Sequence, residues 1–288
     1  MEKLAIAVVM APHRAAPAAV GAREDAMRHL LSTAADSGVS QVATRPEGDG
    51  ERVLGQSWPF PSPFRVSVRT VPLSEGLDRV EARARRSLER MGLPRGETLM
   101  VSNVQDLAGA EGRALWDRVE ALKARGLFRK VGFCAGVEDG AALLARRFAP
   151  DVVRLPCNLL DQRAQTTGVL AELKAQGVSV HLSSVFARGA LFAARETLPA
   201  DLTEHGAALS RTRRRLAEAR IDPMQAALAY ALGLEEADAV IATIASSAEM
   251  RAVLAAAHAP QPQVEWSLLA LDAPAARILS ERTAGRAA

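Results

Sequence analysis

Four arginines carry the most chemical potential in this chain: Arg45, Arg69, Arg154 and Arg188, each at or near the end of a short run rich in Val, Ile or Leu. A guanidinium stays protonated at neutral pH and presents a planar fork of N–H donors, so such a set calls for anions. Either carboxylates of the chain answer them, with Glu47, Asp49 and Asp106 as candidates, or an anionic ligand does. Other reactive types offer less. The five histidines show no metal-ligand spacing, and His181, inside an apolar run, reads as a satisfied core or rim residue. Ser184 lacks the Gly-x-Ser-x-Gly elbow of a hydrolase nucleophile. Cys134 and Cys157 make neither a disulfide framework nor a zinc site, and two free thiols suit a reducing cytoplasm. Gly48-Asp49-Gly50 with Gly55 has the wrong spacing for a phosphate loop and reads as a flexible turn. Arg211-Thr212-Arg213-Arg214-Arg215 reads as a solvated helix face. The chain has one tyrosine, Tyr230, so any reaction needing a phenol must use it. It falls in a helix-like segment, 223–234, that is apolar on most sides.

The elements that must position these groups alternate along the chain. Strand-like runs fall at 4–10, 39–44, 64–70, 97–102, 129–133, 151–155, 178–182 and 238–243. Amphipathic helical stretches fall at 23–37, 76–91, 110–126, 137–147, 162–176, 204–219, 223–234 and 247–258, and a last one, 272–283, closes the chain. Gly38 and Gly177 sit where a helix ends in a left-handed residue, and Asp222-Pro223 reads as a cap followed by a first-turn proline. Strands alternating with helices give parallel strands joined by crossovers. The turn after the first strand, Ala11-Pro12-His13-Arg14-Ala15-Ala16-Pro17, has no glycine before Gly21, which argues against a doubly wound nucleotide fold. The expected fold class is therefore α/β, a (β/α)8 TIM barrel, with 1–288 as one domain and 259–288 as a C-terminal extension.

Composition narrows the partners. The 288 residues are 49% hydrophobic and 24% charged, as in folded globular chains rather than disordered ones. A net charge of +3 is nearly balanced, and only 4% of residues are aromatic, which disfavours a base-stacking nucleic-acid surface. No apolar run reaches the length of a membrane span. The opening Met1–Met10 run is short and is followed by Pro12, His13 and Arg14, so it reads as a strand rather than a targeting segment. A cytoplasmic protein with neither nucleic-acid nor membrane partners is expected.

Order and spacing add a resemblance. Gly50-Glu51-Arg52-Val53-Leu54-Gly55 follows the second run, and Thr98-Leu99-Met100-Val101-Ser102-Asn103 forms the fourth. Then come Lys123–Gly126–Arg129–Gly132 leading into the fifth, and Asn158-Leu159-Leu160-Asp161-Gln162-Arg163 after the sixth. Ser184–Leu191 and Pro223–Leu232 complete the series. From about residue 4 to 258 the chain resembles the aldo/keto reductase family. That resemblance implies a (β/α)8 barrel that binds NADP(H) at the C-terminal rim and reduces aldehydes or ketones. It also implies a tetrad: a tyrosine as proton donor, a lysine that lowers its pKa, an aspartate that holds the lysine and a histidine that orients the carbonyl. Every tetrad position departs. Ala43 stands for the aspartate, Arg69 for the lysine and Ser102, before Asn103, for the histidine, while Arg45–Asp49 contains no tyrosine. Among the cofactor positions, Cys134 stands for a serine, Arg154 for a glutamine, Ser183-Ser184 for an arginine-serine and Arg188 for a glutamine. What remains for NADP(H) by resemblance is Asn158, Ser246, Ser247 and Arg251, the last three at the start of a helix. The expected ligand-binding set at the barrel mouth is Arg69, Ser102, Asn103, Arg154, Ser184 and Arg188, with no catalytic residue and no metal. The expected function is a barrel without carbonyl reductase activity that binds an anionic ligand or a protein partner. The alternative is an NADP(H)-dependent oxidoreductase with a non-standard proton donor.

Overall fold

A computed structural model describes residues 2–9, 21–193, 198 and 200–280. Eight parallel strands close into a barrel in sequence order. They are β1 (Leu4–Val8), β2 (Gln41–Ala43), β3 (Arg65–Arg69), β4 (Gly96–Val101), β5 (Phe128–Cys134), β6 (Val152–Pro156), β7 (Ser179–Ser183) and β8 (Ala239–Ile244). Closure is made by β8 pairing with β1, with Leu4 opposite Val240 and Val8 opposite Ile244.

The outer ring follows in chain order. It comprises α1 (Ala22–Asp36), α2 (Gly50–Gly55), α3 (Leu77–Met91), α4 (Gln105–Ala108), α5 (Gly112–Ala124) and α6 (Ala141–Phe148). It continues with α7 (Arg163–Thr166), α8 (Val169–Ala175), α9 (Gly206–Glu218), α10 (Pro223–Gly233), α11 (Ser247–His258) and α12 (Ala273–Ser280). All eight strand-like runs are strands. The stretch 162–176 is two helices rather than one, because Gly168 between them is left-handed at φ 80°. Gly48–Gly55 is not merely a turn: it opens α2, and Gly55 is where this helix meets α3, since a Cβ there would run into the Arg90 carbonyl. The caps at Gly38 (φ 80°), Gly177 (φ 76°) and Asp222, whose carboxylate accepts from the Met224 and Gln225 N–H groups, are as expected. The basic stretch of α9 is only partly solvated. Thr212 is buried, and Arg213 and Arg215 donate to the carbonyls of Ala190 and Leu268.

Strand alternation divides the interior in two. One set of side chains, such as Ile6, Val68, Leu99, Phe133, Leu155 and Leu182, packs outward against the helices in one continuous core. The other set faces the lumen. A barrel lumen is ordinarily filled by bulky branched side chains. Here it receives Ala5, Ala43 and Ala239 with Ile241 on one side, and Met100, Cys134 and Val152 on another. Gly132 on β5 is required by packing, because a Cβ would strike the Val152 carbonyl of β6. Small residues therefore leave space inside the barrel, and polar side chains from β3, β4, β6 and β7 enter it.

Candidate functional site

The C-terminal strand ends hold much of what the sequence places there, in unequal conditions. Ala43 ends β2 and is buried. Arg69 ends β3, half-buried, and its Nε has no hydrogen-bond partner among the described residues. Ser102, just past β4, is spent on structure: its Oγ donates to the Thr70 carbonyl at 2.5 Å. Asn103 is exposed, and its side-chain oxygen accepts from the Gln105 N–H. Arg188 pairs with Asp201 at 2.8 Å and donates to the Ile278 carbonyl, so it is tied to neighbouring loops. Its loop carries unusual backbone, with Ser184, Ala187 and Arg188 at φ 58°, 48° and 57°, a region non-glycine residues seldom adopt. The carboxylates expected to answer the arginines are engaged elsewhere. Asp49 forms a two-pronged pair with Arg52 at 2.8 and 2.6 Å, and Asp106 accepts from the Leu73 N–H.

The barrel, its outer ring and these strand ends can now be compared with known proteins. The family model "Aldo/keto reductase family" matches residues 65–270. The chain belongs to the aldo/keto reductase family. Among solved structures, an aldo-keto reductase from Bacillus halodurans in its holo form superposes with a TM-score of 0.69 at 16% identity, covering 97% of this chain and 92% of that one. The glycerol dehydrogenase of Gluconobacter oxydans gives a TM-score of 0.69 at 15% identity, covering 92% and 89%. At such identities the likeness is one of fold. No curated protein matches the chain.

Within this aldo/keto reductase family chain, two of the four residues that the resemblance assigns to a nicotinamide cofactor, Asn158 and Ser246, are engaged in local structure. Asn158 is fully buried; its Oδ1 accepts from the Leu160 and Asp161 N–H groups at 3.0 and 2.9 Å, and its Nδ2 has no partner. Ser246 caps α11 by accepting from the Glu249 N–H at 3.1 Å, while the Glu249 carboxylate accepts from Ala245 N–H at 2.7 Å. This arrangement takes up one of the first-turn N–H groups a phosphate would use, that of Glu249, and puts a carboxylate close to where its charge would sit. It was readable in the sequence as Ser246-x-x-Glu249. Ser247 is the first residue of α11, and Arg251 is exposed a turn further on.

Tyr230 lies outside the lumen. It is buried on α10, donates to Gln165 Oε1 at 2.9 Å, lies 3.8 Å from Cys157 Sγ and packs edge-on against Trp266. Burial, with Cys157 beside it, pushes the phenol's pKa far up, and burial pushes the Cys157 thiol up to about 12. Neither group is prepared to give or take a proton near neutrality.

Arg154 departs from its expected place. It belongs to β6 and is 3% exposed, but the cavity it lines lies toward the start of the strands rather than at the C-terminal mouth. This cavity, of about 270 Å³, runs from Gln41, Arg65, Lys130 and Ser179 at the strand starts to Ser67, Arg154 and His181 at mid-barrel. Burial first, with Arg69 adding to it, pulls the Arg154 pKa down to about 10, so the group remains a cation at neutral pH. Its sole side-chain hydrogen bond among the described residues runs from Nη2 to Ser67 Oγ at 3.3 Å. His181, expected to be satisfied, has no side-chain hydrogen bond among the described residues. Sequence reading passed over Ser67 and the lumen role of His181. The signal was there in Arg65-Val66-Ser67-Val68-Arg69 and Ser179-Val180-His181-Leu182-Ser183, where strict alternation turns every second, polar residue inward.

Burial and then the Arg154 charge hold the His181 pKa down to about 3. In the unfolded chain the imidazole protonates near pH 6.5, so between about 6.5 and 3 the unfolded state binds more protons and stability falls as pH falls. We expect the parent to lose about 2 kcal/mol more than His181→Phe between pH 7 and pH 5 in urea unfolding. Parallel pH profiles for the two proteins would show instead that the ring is open to solvent.

Proposed function

We propose that this chain is a member of the aldo/keto reductase family that does not reduce carbonyls and holds an anionic ligand at its C-terminal barrel mouth. The observation that carries this reading is the position of the chain's one tyrosine: it is packed on α10 against Gln165 and Cys157, in the core on the helix side of the barrel wall rather than in the lumen. The alkoxide left by hydride addition needs an acid within hydrogen-bond reach. With Ala43, Arg69 and Ser102 at the other tetrad positions, no group there is placed to serve. The residues present do not fit NADP(H) well either: Asn158 is locked in its own turn, Glu249 caps the helix that would face a phosphate, and Arg154 is turned to the far cavity. No hydride step is therefore derived.

What the mouth does offer is Arg69 at the end of β3, with a guanidinium nitrogen unpartnered, and, across the barrel from it, the strained loop 184–188 after β7. Backbone held in sparsely populated regions clusters at ligand-binding sites, which supports a binding role for this rim. The test is thermal unfolding in phosphate, sulfate and chloride at matched ionic strength, for the parent and for Arg69→Glu. A bound anion stabilises the parent by RT ln(1 + [L]/Kd), and charge reversal removes that preference. A parent indifferent to the anion, or an Arg69→Glu variant with an unchanged preference, would make Arg69 structural.

A further inference from the structure

We propose a second binding site, in the cavity between mid-barrel and the strand starts, that takes a small aliphatic carboxylate with its head on Arg154 and its hydrocarbon against the β1, β2 and β8 wall. Arg154 is 3% exposed, its Nε has no hydrogen-bond partner, and it forms no ion pair among the described residues. A buried cation without a counter-anion is costly, and the chain's own carboxylates do not relieve it. Of the two acids lining the cavity, Asp238 is held by Lys174 at 2.8 and 3.0 Å and by the Val180 N–H at 2.7 Å. Glu97 stands 3.8 Å from both Arg129 and Lys130. Among the described residues, neither acid of the lining answers the Arg154 charge in mid-barrel.

The cavity has the chemistry of a fatty-acid head and a short tail rather than of an inorganic ion alone. One side is polar, formed by Ser67, Arg154 and His181. The other is apolar, formed by Ala5, Ala43 and Ile241, which share one apolar cluster. A guanidinium presents two parallel N–H groups to a carboxylate, and burial strengthens that pairing by excluding water. Neutral His181 adds a ring N–H, and Ser67 a hydroxyl. About 270 Å³ suits a ligand of only a few carbons. The small residues at positions 5 and 43 make that room, since leucine at either would occupy it.

The site shares Ala43 with the mouth but lies toward the other end of the barrel, and one experiment separates them. Thermal unfolding of the full chain is followed against butyrate, butanamide and phosphate at constant ionic strength. The expected result is a concentration-dependent rise in Tm with butyrate and not with butanamide, lost in Arg154→Met and in Ala5→Leu. The second variant fills the cavity without touching the charge, and keeps the test decisive should the first fold poorly. Equal response to butyrate and its amide overturns the proposal. So does a butyrate response that survives both variants, or one that disappears in Arg69→Gln while surviving in Ala5→Leu, which would put the carboxylate at the C-terminal mouth.

Discussion

Purified protein supplied with NADPH and simple aldehydes or ketones is expected to show no turnover above background. In carbonyl reduction a positioned acid contributes about 10²–10⁴-fold by itself. On the proposed reading the departure is not one residue but the whole proton-delivery set, with Ala43, Arg69 and Ser102 at three positions and no phenol at the fourth. Arg69 cannot replace a lysine in tuning a phenol that is absent. Ser102 is bonded to the Thr70 carbonyl and is no stand-in for an imidazole that orients substrate. A turnover on the order of 1 per second with any simple carbonyl, ordinary for an enzyme, would overturn this expectation. Tyr230→Phe serves as the internal control. Its hydroxyl bonds Gln165 in the outer ring, so the variant loses a buried hydrogen bond, about 1 kcal/mol of stability, without any change in carbonyl chemistry.

The sequence features that disclosed the family turn out to be those that build the barrel. Lys123 pairs with Asp151 at 2.6 Å, and Asp151 accepts from the Val131 N–H, which fixes the start of β5 against β6. Gly126 is left-handed at φ 75°, and Gly132 admits the β6 backbone. In the other telling stretch, Asn158 turns the chain after β6, and Arg163 grips buried Asp161 at 2.8 and 2.9 Å. Such residues answer to backbone geometry and packing, which act locally and leave a spacing that can be read. That is why eight strands, most helices and the closed architecture were legible. The site was less so. Which end of the barrel Arg154 serves depends on how far a long side chain reaches and on empty volume left by alanines on other strands. Neither is a property of a short segment. Likewise the engagement of Asp49 with Arg52, rather than with a mouth arginine, is decided by α2, a helix that the glycines at 48 and 50 concealed.

Replacing Arg154 with methionine is expected to stabilise the ligand-free protein. Burial is the main reason its pKa falls from the ordinary arginine range to about 10, and that depression measures how much less comfortable the cation is when folded than when unfolded. At 1.36 kcal/mol per pKa unit, the folded state bears about 3 kcal/mol at neutral pH. The sign is fixed by linkage. Below about pH 10 both states carry the proton and the full cost is present. As pH rises from there toward the ordinary arginine pKa only the unfolded state holds it, and the cost is relieved. Methionine keeps much of the length and packing, fills irregular space and carries no charge. Against the gain stands the 3.3 Å bond to Ser67, long for a hydrogen bond and worth about 1 kcal/mol at most. The balance is a net gain of about 2 kcal/mol, a rise of several degrees in Tm for a chain of this size. The contrast with a structural arginine is sharp: were the guanidinium anchoring the lumen through hydrogen bonds, removing it would strand buried acceptors and lower stability. A fall in urea midpoint for Arg154→Met in carboxylate-free buffer would therefore mark Arg154 as a structural brace. A rise would mean that the barrel maintains, at a cost to its own stability, a cation whose counter-charge the fold does not supply.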